Sequence, residues 1–380
     1  MSKNGKGPQK LPVAVLAGTG AVGQRFVSLL AAHPWFEVVA VTGSERSAGR
    51  PYGEAVRWVV PGDPPSGVAD LTVRPNSPDF GVDVAVVFSA LPSGIAREVE
   101  PEFAAAGHAV CTNASPYRMA PDVPLLIPDI NPSHGALLDR QRAERGWPGL
   151  LVASPNCSTT GIIFPLKALD EVFGVRQVHA VTLQAISGAG YPGVASMDIM
   201  DNVIPHIGGE EGKVQAEPRK LLGRVENGEL VEAEVAISAQ TNRVPVYDGH
   251  MACLSVGFER PANAEAALEA LRGWQPPQAA RSLPSAPKQA LIVRDEPDRP
   301  QPRRDRDAEN GMAVTVGRVQ DCNALDVKLV SLVHNTLRGA ASGAILNAEF
   351  LVAEGIIAAG GRAPVAEGRW AEAAQPIRVG

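Results

Sequence analysis

The stretch 11–34, LPVAVLAGTGAVGQRFVSLLAAHP, narrows the choice of fold more than any other part of the chain. LPVAVLAG is an apolar run ending in glycine and reads as a buried strand, while RFVSLLAAHP repeats its apolar residues at helical spacing until Pro34 stops it. Between them, Gly18, Thr19, Gly20, Ala21, Val22 and Gly23 match G-x-G-x-x-G. Glycines at these places let the backbone turn sharply and let a pyrophosphate approach the open N–H groups and positive dipole end of a helix. A β-branched run at 38–41 follows at once, so strand, helix and strand make a βαβ unit with a right-handed crossover and a parallel sheet.

Further strand signals at 82–88, 109–111 and 150–153, with a helical pattern at 95–106, extend this unit into a doubly wound domain. Beyond about residue 175 the runs become longer and hairpin-spaced (VHAVTLQAIS, LVEAEVAISAQTNRVP, MACLSVGFE), as in a mixed or antiparallel sheet. The expected fold class is α/β: a Rossmann-type doubly wound parallel sheet at 11–155, plus an α+β catalytic and oligomerisation domain with a mixed sheet at 156–334. Residues 335–360 read as one long helix, rich in small residues, that returns to complete the first domain. Residues 1–10 and 361–380 read as tails.

A chain of 380 residues is long enough for two cores. Its net charge of -6 lacks the basic excess that phosphate backbones require, which argues against nucleic acid as a partner. Cys111, Cys157, Cys253 and Cys322 are scattered without C-x-x-C or Cys/His spacing, so neither a disulfide framework nor a metal is expected. The polar start MSKNGKGPQK lacks an apolar core, and the apolar run near 82–95 is broken by Asp83, Pro92 and Gly94. No membrane partner is therefore expected, and a cytoplasmic location is. Eleven of the sixteen residues at 294–309 are charged and three are proline, a pattern of a solvated loop or of partner contact. Glycine and proline total 71 residues without a collagen-like period, an excess that serves turns and close backbone approaches.

The second strand ends in VTGSERSAGR. An NAD site wants an acidic residue close behind this strand for the ribose hydroxyls, whereas Thr42, Ser44, Arg46 and Ser47 offer hydroxyls and a guanidinium fork. NADP is therefore expected over NAD, with Glu45 the discordant residue. Cys157 lies in SPNCSTTG, between a strand and a helix start. There the helix dipole and open N–H groups are expected to lower its pKa and make it a nucleophile. A nicotinamide and a thiolate at one cleft suggest aldehyde oxidation or acyl reduction through a thioester.

AGTGAVGQ at 17–24, SPNCSTTG at 154–161, QAISGAG at 184–190, NVIPHIGGEEGK at 202–213, RVPVYDGH at 243–250 and NTLRGAASGAILNAE at 335–349 together resemble aspartate-semialdehyde dehydrogenase, in its archaeal and fungal-like branch. The likeness runs over about residues 10–360, in order. It implies NADPH-dependent conversion of L-aspartyl 4-phosphate to the semialdehyde, in biosynthesis of lysine, threonine and methionine. It further implies a small-molecule substrate, phosphate as product, and a homodimer or homotetramer. By the resemblance Cys157 attacks the acyl phosphate, His250 is the general acid/base and Gln184 orients the substrate. Arg243 clamps the substrate carboxylate, Glu210 or its neighbour Glu211 receives the amino group, and Lys213 binds phosphate. Asn113 adds a phosphate contact, and the arginine that other branches use there has a counterpart only in Arg118. Ser187, Gly188, Asn335 and Gly339 edge the nicotinamide pocket. Chemically similar relatives are N-acetyl-γ-glutamyl-phosphate reductase and malonyl-CoA reductase. A CoA-thioester reductase is thus one alternative reading, and a non-catalytic NADP-binding regulator is another.

Overall fold

The structure is a computed structural model that describes residues 10–358, so most of the two expected tails lies outside the described residues. Six strands form the first sheet: β1 (Leu11–Leu16), β2 (Phe36–Thr42), β3 (Val73–Arg74), β4 (Val86–Ser89), β5 (Ala109–Thr112) and β6 (Leu150–Ala153). Their order is β3-β2-β1-β4-β5-β6 and every pairing is parallel, the arrangement expected when helices cross over between strands. β1, β4, β5 and β6 are buried almost throughout, which is why they read as unbroken apolar runs instead of alternating ones.

Eight more strands follow: β7 (Val175–Gln184), β8 (Arg224–Glu226), β9 (Glu229–Val231), β10 (Ala236–Arg243), β11 (His250–Phe258), β12 (Leu291–Val293), β13 (Val314–Asp321) and β14 (Val327–Val333). β8 and β9 pair as a small hairpin, and the rest make a mixed sheet in the order β10-β7-β11-β14-β13-β12. The stretch LVEAEVAISAQTNRVP is thus two strands on two sheets, not one. In the second sheet the side chains alternate: Val178, Ala180, Ala252 and Leu254 are buried beneath helices, while His179, Val181 and Cys253 face outward.

The helix expected at 335–360 is corrected in both its start and its end. A π-helical turn, Leu337–Ala341, comes first, then an α-helix, Ser342–Ala353, which stops before Gly355 at φ 67°. Residues 359 and 360 lie outside the described residues. The α-helix does return to the first sheet: Ala344, Ile345, Ala348 and Phe350 share a core with Val13, Val15, Phe26 and Phe88. Its buried Glu349 accepts from Nε2 of His33 at 2.6 Å and from the N–H of Ser285 at 3.0 Å, tying the helix to the loop after Leu30.

The charged 294–309 segment is not simply a solvated loop. Asp305 is 1% exposed and pairs with Arg299 and Arg294, and Arg306 donates to the Asp248 carbonyl at 3.0 Å. Asp305 thus anchors the segment from within and Arg306 braces the loop that precedes β11, while Asp298, Arg303 and Arg304 stay exposed.

Candidate active site

The glycine turn is built from backbone. Ala17 takes φ 53°, and a Cβ at Gly23 would stand 2.2 Å from the Ala17 carbonyl oxygen and 2.6 Å from Gly18 Cα. Only glycine lets the helix Ala21–Leu30 sit this close to the end of β1. Tyr52 donates its hydroxyl to the Gly18 carbonyl at 2.9 Å, and Gln24 donates to the Thr19 carbonyl at 2.9 Å. Gly20 caps the helix without a side chain, so the first-turn N–H groups remain open to an anion. Ala21, Val22 and Arg25 of this helix line a cleft of about 100 Å³ that Ser187, Asp248 and Thr336 close from other elements.

At the end of β2, Ser44 and Arg46 are exposed, and Arg46 makes no hydrogen bond or ion pair among the described residues. Ser47 and Thr42 are instead internal. The Ser47 hydroxyl donates to the Ser44 carbonyl at 2.9 Å, and fully buried Thr42 accepts from the Ala17 N–H at 3.1 Å. Thr42, expected as a phosphate donor, is a brace for the turn. The open helix terminus, the glycine cradle and the free Arg46 together fit a dinucleotide with an added phosphate.

The thiol site is built from side chains. Asn156 caps the helix Cys157–Phe173 by accepting from the N–H groups of Ser158 at 2.9 Å and Thr159 at 3.3 Å. Its amide nitrogen donates to Oε2 of Glu210 at 2.8 Å, and Gln184 reaches the same oxygen at 3.5 Å. Lys213 donates to Oε1 at 2.6 Å, as residues three apart on one helix can. Burial works against the Glu210 charge, but Lys213, Asn156 and Gln184 hold its carboxyl below the ordinary range. Glu211 turns elsewhere and accepts from the Thr241 N–H at 3.3 Å.

One peptide unit connects the other two expected participants. Arg243 donates to the Ala185 carbonyl at 2.7 Å, and the Ala185 N–H donates to Nδ1 of His250 at 3.1 Å. Burial, with the Arg243 and His334 charges, pulls the His250 imidazole down to about 3. The neutral ring, accepting at Nδ1, therefore carries its proton on Nε2, which is buried and without a partner among the described residues. As found, the ring offers the site a donor. A Cβ on Gly188 would lie 2.8 Å from both this nitrogen and Nη1 of Arg243. Asn335 accepts from the Gly249 N–H and donates to the Ser187 hydroxyl, both at 2.8 Å, so it fastens two loops and does not itself line the cleft. Gly339, in the π-helical turn, lies against Cys157: its Cβ would stand 2.8 Å from Cys157 Cβ.

Two family models match the chain: "Semialdehyde dehydrogenase, NAD binding domain" at residues 12–137 and "Semialdehyde dehydrogenase, dimerisation domain" at 166–338. Aspartate-semialdehyde dehydrogenase from Archaeoglobus fulgidus is 50% identical over 345 residues, 91% of this chain and 99% of its own. The chain belongs to the aspartate-semialdehyde dehydrogenase family. The Trichophyton rubrum enzyme of that name is 46% identical, covering 92% of this chain and 99% of its own. A crystal structure of the Candida albicans aspartate-semialdehyde dehydrogenase with NADP superposes with a TM-score of 0.83 at 43% identity, over 91% of this chain and 99% of that one. Members of the family are oxidoreductases, and this chain carries both the NAD-binding and the dimerisation domain.

Within this aspartate-semialdehyde dehydrogenase fold one expectation is reversed. Burial pushes the Cys157 thiol up to about 12, and the Glu210 carboxylate adds to the rise; Arg118, the Ser158 N–H and Arg243 oppose it. The helix terminus does act on the thiol through the Ser158 N–H, but burial outweighs it. Arg118 proves more central than its place in TNASPYRM suggests. It is 7% exposed, donates to the Asn113 carbonyl at 2.6 Å and pairs with Glu217 at 2.9 Å. Both polar atoms of the Asn113 side-chain amide and Nε of Arg118 are buried without partners among the described residues. Sequence reading missed Glu217 altogether, although its helical spacing from Glu210 was a usable signal.

Proposed function

We propose that the protein reduces L-aspartyl 4-phosphate to L-aspartate 4-semialdehyde with release of phosphate, using NADPH and a thioester on Cys157. The observation that carries the reading is the placement of Cys157 at a helix start among Glu210, Arg118 and Arg243, whose charges all act on its thiol. An acyl phosphate bearing a carboxylate and an ammonium needs that set of opposite charges. Arg243 suits the carboxylate as a bidentate fork, and Glu210 suits the ammonium. Lys213, Arg118 and Asn113 suit the phosphate. An ammonium at Glu210 offsets one of the charges that hold the thiol protonated, which favours the thiolate when the substrate is in place.

Cys157 attacks the acyl carbon as its thiolate; a C–S bond forms as the C–O bond to phosphate breaks, and the proton given up by the thiol leaves with the phosphate as hydrogen phosphate. NADPH, when bound, supplies a hydride to the thioester carbon. His250, through Nε2–H, faces the oxygen that gains negative charge in this step and stabilises it, as a preorganised donor does. Collapse of the adduct breaks the C–S bond, returns the thiolate and leaves the aldehyde. The Ala185 peptide holds Arg243 and His250 beside one another, Gln184 orients the substrate, and Gly188 leaves room for it. Ser44 and Arg46 receive the cofactor's 2′-phosphate, and the open helix at Ala21 receives its pyrophosphate.

The outward row Val181, Cys253, Val330 crosses three adjacent strands of the mixed sheet, and a second copy of the chain is the partner we assign to it. The family's dimerisation domain spans this sheet. The product feeds synthesis of lysine, threonine and methionine in the cytoplasm, by a dimer or tetramer. The test is reduction of NADP+ by the purified protein with aspartate semialdehyde, with and without phosphate. Phosphate-dependent turnover that disappears in Cys157→Ala, with NADPH binding kept, is expected. Turnover of malonyl-CoA with none of the semialdehyde, or an active Cys157→Ala variant, overturns the reading.

A further inference from the structure

Glu217 is 2% exposed and lies two helical turns beyond Glu210 on the helix Glu210–Leu221, so both face the thiol site. Its two carboxylate oxygens have different work. Oε1 accepts from Nη1 of Arg118 at 2.9 Å, and Oε2 accepts from the Asn156 N–H at 2.6 Å. Arg118 comes from the first domain's 113–118 loop, whereas Asn156 is the cap residue directly before Cys157. One carboxylate therefore spans the segment that carries the buried, unpartnered Arg118 Nε and Asn113 amide and the segment that carries the nucleophile. Lys220, one turn further, donates to the carbonyls of Ala120 at 2.7 Å and Val123 at 2.8 Å and secures the same loop a second time.

We infer that Glu217 is a positioning residue that sets the anion-binding arm, Arg118 with Asn113, at a fixed separation from the Cys157 sulfur. The inference rests on the acyl-phosphate reading above. A carboxylate is required because it is acceptor-only on both oxygens. A glutamine can serve one donor with its oxygen but turns an NH2 group toward the other. Glu217 also places a negative charge beside Arg118, which taken alone weakens anion binding. Positioning and charge thus predict opposite outcomes when that charge is removed.

The experiment measures the KM for inorganic phosphate during oxidation of aspartate semialdehyde, in the wild type, Glu217→Gln, Arg118→Ala and the double variant. Glu217→Gln is expected to raise the phosphate KM about tenfold, since a small misplacement of a binding group can cost up to about 10²-fold. The KM for NADP+ should stay within about twofold, because the glycine turn touches neither residue. In the Arg118→Ala background the Glu217→Gln effect on phosphate KM should vanish, as it must for a residue that acts through Arg118. If Glu217→Gln fails to fold, Glu217→Asp keeps the charge, draws it back by one methylene and is expected to raise the phosphate KM less. An unchanged or lowered phosphate KM in a folded Glu217 variant, or effects that simply add in the double variant, overturns the inference. A wild type that needs no phosphate overturns instead the reading on which the inference rests.

Discussion

The glycine turn at 17–24 and the thiol site are both ligand sites of one chain, yet they are made of different material. The turn is local: eight consecutive residues supply its backbone, and its one steric demand, at Gly23, is met by atoms of Ala17 and Gly18. The thiol site draws on residues from 113 to 339, joined by side-chain hydrogen bonds that cross between segments far apart in sequence. A site made of backbone is specified where it stands, while a site made of side chains depends on each long-range bond holding a neighbour. Damage to the first should spread to cofactor binding and stability together. Damage to the second should reach turnover and leave the fold intact.

Glycine substitutions break the comparison most directly. Gly188→Ala puts a methyl 2.8 Å from both Arg243 Nη1 and His250 Nε2, and kcat should fall about 10²-fold while the thermal midpoint barely moves. A loss of stability matching the loss of activity would deny that Gly188 serves the site alone. Gly23→Ala should behave in the opposite way, costing about 1–3 kcal/mol in urea denaturation from overpacking and raising the NADPH Kd in the same protein. Full stability with weakened cofactor would show that the turn is less tied to the sheet than its contacts indicate.

Two smaller effects sharpen the comparison on the side of charge. Arg46→Ala should raise the NADPH KM about tenfold and leave that for NADH unchanged, in keeping with loss of one charge-assisted bond. Equal losses for both cofactors would remove Arg46 from the 2′-phosphate. Glu210→Gln takes away a negative charge that raises the Cys157 thiol, so its pKa should fall and the thiolate fraction at a given pH should increase. Alkylation of Cys157 by iodoacetamide at pH 8 should then be a few-fold faster than in the wild type, even as turnover drops. Slower alkylation would mean that Glu210 supports the thiolate by holding Asn156, and does not oppose it by charge.

The same contrast explains what could be read from the sequence. The parallel sheet and its glycine turn were legible because periodicity and G-x-G-x-x-G are local signals. The positions of Cys157, His250 and Arg243 were legible through motifs matched in order to a family, and the structure brings their surroundings together through Asn156 and the Ala185 peptide. The thiol's raised pKa was not legible, since nothing in SPNCSTTG says how far the surrounding fold would bury the sulfur or that Glu210 would stand near it. Thr42 and Asn335 read as ligand contacts and are internal braces; a hydroxyl or amide at a strand end serves either purpose, and only the third dimension decides. Glu217 was hidden for a related reason, because its partners Arg118 and Asn156 lie about 100 and 60 residues away along the chain.

The most direct test is to mix the protein with L-aspartyl 4-phosphate in the absence of NADPH, quench in acid and map the acylated peptide by mass spectrometry. A single aspartyl adduct on Cys157, discharged when NADPH is added before the quench, is the predicted result. No adduct on any cysteine, or an adduct on Cys253 or Cys322 that NADPH discharges, would contradict it.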